Sequence, residues 1–315
     1  MLENMNEINI AVILLNWNNA DATIKCIESV LAGSILPTSI VVIDNHSADD
    51  SLKVINSWCK NYLYKRQIEN SNETNVILLE SNVNSGYAGG NNIGIEFAKN
   101  KLSSECFWIL NNDAQPDKNA LEELLLIAKN NTKSFVSSVT LYENGLIEAY
   151  GGGTYFPIFG KAKLLHKKKR YQPDLKISVN YLMGASLLLP CEIIDKVGYM
   201  DECFFMYSEE IDWQWRAINK GYEIQVAPKS IVYHAGSSST ESYQYHYYRN
   251  RAAIMFNSIY FGCLYSIVSG LALSVYTAVR YAFKPKLVIF GIKGCFQGVC
   301  KKRKDKMLPL KSTVK

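Results

Sequence analysis

The chain has 315 residues, 48% of them hydrophobic, an ordinary value for a folded protein that buries a sizeable core as one large domain or two modest ones. Its eight cysteines contain no C-x-x-C pair and mostly sit in apolar stretches, which speaks against a zinc site or a disulfide framework and for a reduced, cytosolic compartment. The formal charge of +5 divides unevenly: from Arg280 to Lys315 eleven Lys or Arg face one acid, a net of +10, and residues 1–279 carry −5.

An acidic body with a basic tail suits docking on an anionic surface. The tail's cations are interleaved with Leu287-Val288-Ile289-Phe290 and follow a long apolar run, which favours a membrane over nucleic acid. Met1 to Asn9 is polar and the first apolar run is only six residues, so no secretory leader is expected at this end.

In chain order, Ile10 to Leu15 reads as a strand, and Ile24, Ile27, Val30 and Leu31 fall at helical spacing across Ala22 to Leu31, before Gly33 and Pro37. Strand Ile40 to Ile43 precedes a helix opened by Ser47 or Asp49 and running through Leu52, Val54, Ile55 and Trp58. Strand Val76 to Leu79, a glycine-rich turn, a helix from about Asn91 to Lys99 and strand Phe107 to Leu110 complete a β-α-β series. Such units predict an α/β fold with a mostly parallel central sheet, right-handed crossovers and helices on both faces.

Beyond it, Pro116 and Asp117 start an amphipathic helix through Leu121, Leu124, Leu125, Ile127 and Ala128. Gly151 to Gly153 and the basic stretch Lys161 to Arg170 read as a long functional or mobile loop reaching about Lys176. A strand is expected from Leu182 to Leu189, helices at Cys191 to Val197 and Ile211 to Lys220, and strands at Ile224 to Val226 and Ile231 to Tyr233. The 25 uncharged residues Met255 to Val279 exceed the ~20 needed to cross a bilayer. A single crossing would carry the basic tail away from a cytosolic body, so the segment reads first as an in-plane or hairpin anchor, with a true span or a helix packed on the body as alternatives. The expected division is residues 1–115 as a nucleotide-binding α/β half, 116–251 as the acceptor and catalytic half, and 252–315 as an apolar helical, membrane-associated segment with the basic tail.

Polar groups close several of these runs. Val12-Ile13-Leu14-Leu15-Asn16-Trp17-Asn18-Asn19, Val42-Ile43-Asp44-Asn45-His46-Ser47, Asn84-Ser85-Gly86-Tyr87-Ala88-Gly89-Gly90-Asn91-Asn92-Ile93-Gly94 and Leu110-Asn111-Asn112-Asp113 follow one another in the first half. Phe204-Phe205-Met206-Tyr207-Ser208-Glu209-Glu210-Ile211-Asp212-Trp213, Tyr233-His234-Ala235-Gly236 and Tyr248-Arg249-Asn250 follow in the second. Together, over about residues 8–251, this ordered set resembles the family 2 inverting glycosyltransferases of GT-A fold, and most resembles their bacterial rhamnosyltransferase-like branch that builds surface polysaccharides.

The resemblance implies transfer of a sugar, with rhamnose as a candidate, from a nucleoside-diphosphate donor to an undecaprenyl-diphosphate-linked glycan, as in O-antigen or capsule-type lipopolysaccharide synthesis. It implies a site on the cytoplasmic face of the bacterial inner membrane, peripheral or anchored in plane on anionic lipid, and no nucleic-acid partner. It also implies a divalent cation, Mg2+ or Mn2+, held by Asp113, Asn111 and His234. Hard cations favour oxygen ligands such as Asp113; Asn111 stands where the family commonly has the first carboxylate of D-x-D, which keeps an oxygen and removes a charge, and a neutral imidazole at His234 would partly compensate. Asn16, Asp44, Gly86, Asn91, Asn112 and Arg249 are the expected nucleotide-binding residues, Asp44 for the base or ribose and Arg249 for the diphosphate. Glu210, with Glu209 beside it, is the expected base that takes the acceptor hydroxyl's proton; Asp212 would point elsewhere and cap a helix beginning near Trp213.

Each motif also has a plainer reading: an Asn-Asn-Asp turn, a capping Asp44, glycines that merely punctuate, a solvated acidic helix start, a structural histidine. At the level of function two rivals stand: a nucleotidyltransferase that makes the nucleotide sugar, which would want a glycine-rich basic loop where Asn16-Trp17-Asn18-Asn19 lies, and a non-catalytic membrane scaffold of the same fold.

Overall fold

Short β-branched runs alternate with amphipathic helices through the first half, and the chain folds accordingly. The computed structural model describes residues 8–69, 74–157, 160–234 and 242–301; Ala235-Gly236 and the basic tail beyond residue 301 lie outside them. Strand β1 (Ile10–Asn16), helix α1 (Ala20–Leu31), β2 (Ser39–Asp44), α2 (Ser51–Glu69), β3 (Asn75–Glu80), α3 (Gly86–Leu102) and β4 (Cys106–Asn111) form the β-α-β series. They are followed by β5 (Ala114–Pro116), α4 (Ala120–Asn130), β6 (Ser134–Leu141), β7 (Ile147–Tyr150), β8 (Gly152–Phe156), β9 (Lys161–Leu164), β10 (Tyr181–Leu182), β11 (Ser186–Pro190), α5 (Cys191–Val197), α6 (Glu209–Ile218) and β12 (Glu223–His234). Helices α7 (Tyr243–Phe261), α8 (Cys263–Arg280) and α9 (Pro285–Gly298) close the described chain.

Among the described residues one nine-stranded sheet runs β3-β2-β1-β4-β11-β6-β12-β5, with β7 on β6, and a small sheet runs β10-β8-β9. β3, β2, β1, β4, β6 and β12 share one direction, because β11 is antiparallel to both β4 and β6 and β12 is parallel to β6. Successive residues of a strand face opposite ways. Thus Ile10, Val12 and Leu14 of β1 pack with Cys26 and Ile27 of α1, Ile55 of α2 and Leu121 and Leu124 of α4. Ala11 and Ile13 pack with Ala88, Ile95 and Ala98 of α3 and Ile194 of α5 on the other side. Helices therefore cover both faces, which is why these strands are apolar throughout.

Several elements differ from the sequence-based expectation. Helix α3 begins at Gly86, so the expected glycine turn is the helix's first two turns. A Cβ on Gly90 would stand 2.2 Å from Leu15 Cδ1, and one on Gly94 would stand 2.7 Å from Ile13 Cγ2 and 2.5 Å from Ile43 Cδ1; the glycines let α3 lie close on the sheet. The expected loop from Gly151 contains the β8–β9 hairpin, and the expected strand Leu182 to Leu189 is split between the two sheets. The two expected strands before His234 are one strand with an irregularity between Ala227 and Ile231. Helix α6 starts at Glu209, so Asp212 caps nothing: it is fully buried, its carboxylate accepting from Arg216 Nε and the Tyr260 hydroxyl, both at 2.9 Å.

The segment Met255 to Val279 is not one helix. It breaks at Gly262, whose φ of 89° suits glycine. Met255 and Phe256 are buried with Tyr155, Phe204 and Ile211, and α7 continues across residue 251, where the sequence places a boundary. Helix α8 is long and apolar enough, by length and composition, to cross a membrane, and exposes Leu264, Val268, Leu271, Val275 and Val279. Helix α9 lies tightly on α7, since Cβ atoms on Gly294 and Gly298 would meet Tyr247 O at 2.3 Å and Arg251 O at 2.5 Å. The expectation of free thiols fails at one pair: Cys263 and Cys300 form a disulfide joining the start of α8 to the chain just past α9.

Replacing an interior helical glycine by alanine ordinarily gains about 1 kcal/mol. At Gly94 the added methyl must displace the β-branched Ile13 in a packed core, at a cost of about 1–3 kcal/mol. Gly94→Ala is therefore expected to lower stability in urea denaturation by up to about 2 kcal/mol; a stabilised variant would show that α3 stands off the sheet.

Candidate active site

Parallel register brings the ends of β1, β2 and β4 to one edge, with Asn16 opposite Asp44 and Leu15 opposite Asn111. Asn16 is buried and cross-links that edge: its Nδ2 donates to Asp44 Oδ2 at 2.8 Å and to Ser47 Oγ at 3.2 Å, and its Oδ1 accepts from the Thr23 hydroxyl at 2.7 Å. The Thr23 hydroxyl in turn accepts from Asn112 Nδ2 at 3.0 Å. Asp44 is 1% exposed and also accepts from the Ser47 backbone N–H and hydroxyl at 2.9 and 2.7 Å. Helix α2 is capped by another residue, Asp49, whose Oδ1 accepts from Ser51 N–H at 3.0 Å.

Asp113 and His234, 121 positions apart in the chain, are neighbours, because β12 pairs with β5 so that His234 lies opposite Ala114. His234 Nε2 is 3.1 Å from Asp113 Oδ1 and 3.4 Å from Asn111 Nδ2, and His234 Nδ1 is 2.8 Å from Glu148 Oε2. Burial alone would lower the His234 pKa, but hydrogen bonds and charge from Asp113 and Glu148 outweigh it and push it up to about 10. Burial draws Asp113 upward, and the same His234 contact outweighs that and holds it below the usual carboxylate range.

Glu148 escaped the sequence reading. Its only signal was a lone acid inside the apolar run of β7, where a buried carboxylate demands a partner.

Among the described residues no three His, Cys, Asp or Glu side chains surround a common point, since Glu148 holds the ring nitrogen opposite the one facing Asp113. Asp113 Oδ1 and His234 Nε2 nevertheless make an adjacent O,N pair, with the Asn111 amide beside it. Such a pair suits a hard cation that keeps several waters and takes its remaining oxygens from phosphate. The Glu148 contact is of the kind that fixes a ligating imidazole's orientation; Nε2, which here meets Asp113 Oδ1, would have to release its proton and that contact to ligate a metal.

Glu209 and Glu210 open α6. Glu209 is 3% exposed, and among the described residues neither its Oε2 nor that of Glu210 has a hydrogen-bond partner. Burial, then the charge of Glu210, holds the Glu209 carboxyl well above its ordinary value, and burial pushes Glu210 up to about 7. Burial raises the Tyr87 phenol too, with smaller contributions from the charges of Glu209, Glu210 and Asp113. The Tyr87 hydroxyl donates to Gly184 O at 2.8 Å.

The backbone leading to the pair is unusual: Phe205, Tyr207 and Ser208 have φ of 65°, 71° and 64°, left-handed values that non-glycine residues rarely adopt. It is clamped from two sides. Tyr87 N–H donates to Phe205 O at 2.7 Å, and a Cβ on Gly86 would come within 2.1 Å of that same oxygen, so the close approach that Gly86 permits is to the chain itself. From α7, Arg251 donates to Phe204 O at 3.1 Å and Cys203 O at 3.0 Å, and the Tyr248 ring stacks on Phe205 at 4.9 Å. Asn91 is buried within α3, its Nδ2 donating to Tyr87 O.

A cleft of about 1160 Å³ has both Glu148 and Glu210 in its wall, together with Met183. Of the expected site residues Glu210 and Arg249 line this cleft; Asn16, Asp44, Gly86, Asn91, Asn111, Asn112, Asp113, Glu209 and His234 do not.

The family model for "Glycosyl transferase family 2" matches residues 11–198, well over half of the chain. The low-salt glycan biosynthesis hexosyltransferase Agl10 of Haloferax volcanii is 27% identical over 305 residues, covering 92% of this chain and 91% of that protein. Among solved structures, the mannosyltransferase PcManGT of Pyrobaculum calidifontis, in complex with GDP-Man and Mn2+, superposes with a TM-score of 0.59 at 13% identity, covering 92% of this chain and 86% of that one. GalNAc-T7 with UDP, GalNAc and Mn2+ gives 0.59 at 15% identity, over 92% and 56%. At these identities the structural likeness shows the fold, a GT-A-type α/β arrangement.

Removing the carboxylate that orients a ligating histidine typically costs 10–100-fold in metal affinity. Glu148→Gln is expected to weaken Mn2+ binding by about that factor, measured by titrating free Mn2+ with electron paramagnetic resonance. Unchanged affinity would remove His234 from the metal site.

Proposed function

Since the chain belongs to glycosyl transferase family 2, we propose that it transfers a hexose, with inversion, from a nucleoside-diphosphate donor to a hydroxyl of a lipid-linked glycan. The observation that carries this is the single cleft walled by Glu210 and by Glu148, the partner of His234 and thereby of Asp113. Glu210 in the wall suits a general base, and the Asp113–His234 pair, joined to the wall through Glu148, suits a diphosphate and its cation.

In this reading Asn16, Asp44 and Asn112 form a preorganised edge for the nucleotide, while Gly86 and Asn91 shape the start of α3 beside it. Asp113 and His234, with Asn111, would hold Mg2+ or Mn2+, which neutralises charge on the departing diphosphate. Glu210 accepts the proton of the acceptor hydroxyl as that oxygen attacks the anomeric carbon from the face opposite the diphosphate. The carbon–oxygen bond to the diphosphate breaks as the new one forms, and the nucleoside diphosphate leaves with the electron pair. Burial raises both carboxyls of the pair, which brings Glu210 into the range where a base working near neutrality is needed.

The relative named as a hexosyltransferase of glycan biosynthesis supports a hexose, and the motif set makes rhamnose, a deoxyhexose, the first sugar to try. The apolar face of α8 supports an acceptor carried on a polyprenyl diphosphate such as undecaprenyl diphosphate, met at the cytosolic side of a membrane, as O-antigen-type synthesis requires. Family membership sets aside a nucleotide-sugar-forming enzyme and a non-catalytic scaffold, and β1 ends without the glycine-rich basic loop that the former would need.

A thermal-shift panel of nucleotide sugars with Mn2+ tests the reading, because a ligand that binds only the folded state raises Tm; no shift and no donor turnover across the panel would refute it. Glu210→Gln should keep donor binding and lose transfer by roughly 10²–10⁴-fold. In the parent enzyme the base is active only when ionised, so kcat/KM for the acceptor should fall about tenfold per unit as pH drops below about 7. Near-normal turnover of Glu210→Gln, with Glu209→Gln inactive, would move the role one residue back.

A further inference from the structure

We propose that the cleft beside Glu210 contains a second anion site, formed by the β8–β9 hairpin with α7 and α8, that binds the phosphate or diphosphate of the lipid acceptor apart from the donor's own diphosphate. The inference rests on the transferase reading above and names what that reading leaves open, the group by which the acceptor is held.

Six cationic side chains, Lys161, Lys163, Lys167, Lys169, Arg249 and Arg280, line this cleft against two carboxylates, Glu148 and Glu210. Glu148 is already committed to His234, so the excess is positive. Among the described residues none of Lys161, Arg249 and Arg280 forms an ion pair. All three line the cleft together with Tyr276 and Tyr281, and the Arg280 guanidinium lies 5.9 Å from the centre of the Tyr281 ring. Lys161 Nζ lies 3.3 Å from the centre of Tyr276, and its hydrogen bond, joined by the charges of Lys161, Arg280 and Arg249, holds the Tyr276 phenol below its ordinary value. Gathering like charges without partners is unfavourable until an anion shares them. Phosphate oxygens meet that need, with the arginines as forked donors and lysine as a point charge.

Position separates this site from the donor's. Asp113 and His234 do not line the cleft and join its wall through Glu148, whereas Lys161, Arg249 and Arg280 line it from the hairpin and the C-terminal helices, so that Arg249, expected from the sequence at the donor's diphosphate, is here assigned to the acceptor's. Helix α8 supplies the reason for a lipid: it turns Tyr276 and Arg280 to the cleft while Leu264, Val268, Leu271, Val275 and Val279 of the same helix are 56–77% exposed. An amphiphile with an anionic head and an apolar chain matches both faces, with its sugar hydroxyl left for Glu210.

The full chain in detergent, titrated with farnesyl diphosphate, is expected to bind it, and to bind farnesol and inorganic pyrophosphate at least tenfold more weakly. Lys161→Gln and Arg280→Gln should each weaken farnesyl diphosphate binding tenfold or more, Arg280→Lys should restore most of it, and GDP or UDP binding with Mn2+ should not change in any of them. Three results would overturn the proposal: farnesyl diphosphate affinity unchanged in the glutamine variants, complete competition between farnesyl diphosphate and the nucleotide, or equal displacement by phosphatidylglycerol vesicles, which would make the cations a general headgroup contact. A parent protein that binds neither GDP nor UDP and turns over no donor, yet loses farnesyl diphosphate in the variants, would refute the transferase reading and leave the anion site standing.

Discussion

The polar strand-end edge of this glycosyltransferase depends on one register: β1 lies in parallel between β2 and β4, so that Asn16 meets Asp44 on one side and Leu15 meets Asn111 on the other. Because side chains alternate along a strand, a slip of one residue would turn Asn16 to the wrong face and bury the wrong apolar set. With the register fixed, a continuous series of hydrogen bonds runs Asn112, Thr23, Asn16, Asp44, Ser47. The groups that would meet a nucleotide are immobilised before one arrives, which lowers the cost of ordering them on binding.

The acid side of the site is held differently. Glu209 and Glu210 follow a loop whose left-handed residues each cost energy, of order 1–3 kcal/mol, and only surrounding structure can retain them. The N-terminus of α3 and the side chains of α7 do so together, through Tyr87, Arg251 and Tyr248. The helix start favours ionised carboxylates there, but burial opposes it and prevails for Glu209. An α7 that grips the loop before Glu209, buries Met255 and Phe256 and bonds Asp212 through Tyr260 belongs to the enzyme body. The exposed apolar face is that of α8, and cutting the chain at Met255 would open the core.

Much of this was legible in the residues. The β-α-β series, the strand ends bearing Asn16, Asp44 and Asn111, and the acidic pair before an amphipathic helix follow from local pattern, because strand and helix periods and the polar residues that end them are properties of short windows. The seven ordered motifs carried the family itself. The glycines of α3 were misread because an interior glycine and a turn glycine look alike until the helix has a neighbour: what Gly90 and Gly94 accommodate is Leu15, Ile13 and Ile43, from strands far away in the chain.

The sequence by itself thus determined which residue types stand at strand ends, and hence the family and the broad chemistry. Only the tertiary structure decided which of them meet. Glu148 carries no motif and became part of the site through β7 pairing with β6, and His234 reached Asp113 through β12 pairing with β5. The apolar segment after Met255 became a buried half of α7 and an exposed α8 because Gly262 breaks it and Tyr155, Phe204 and Ile211 were there to cover the first part. Such contacts are set by sheet order and long-range packing, which no short stretch of sequence encodes.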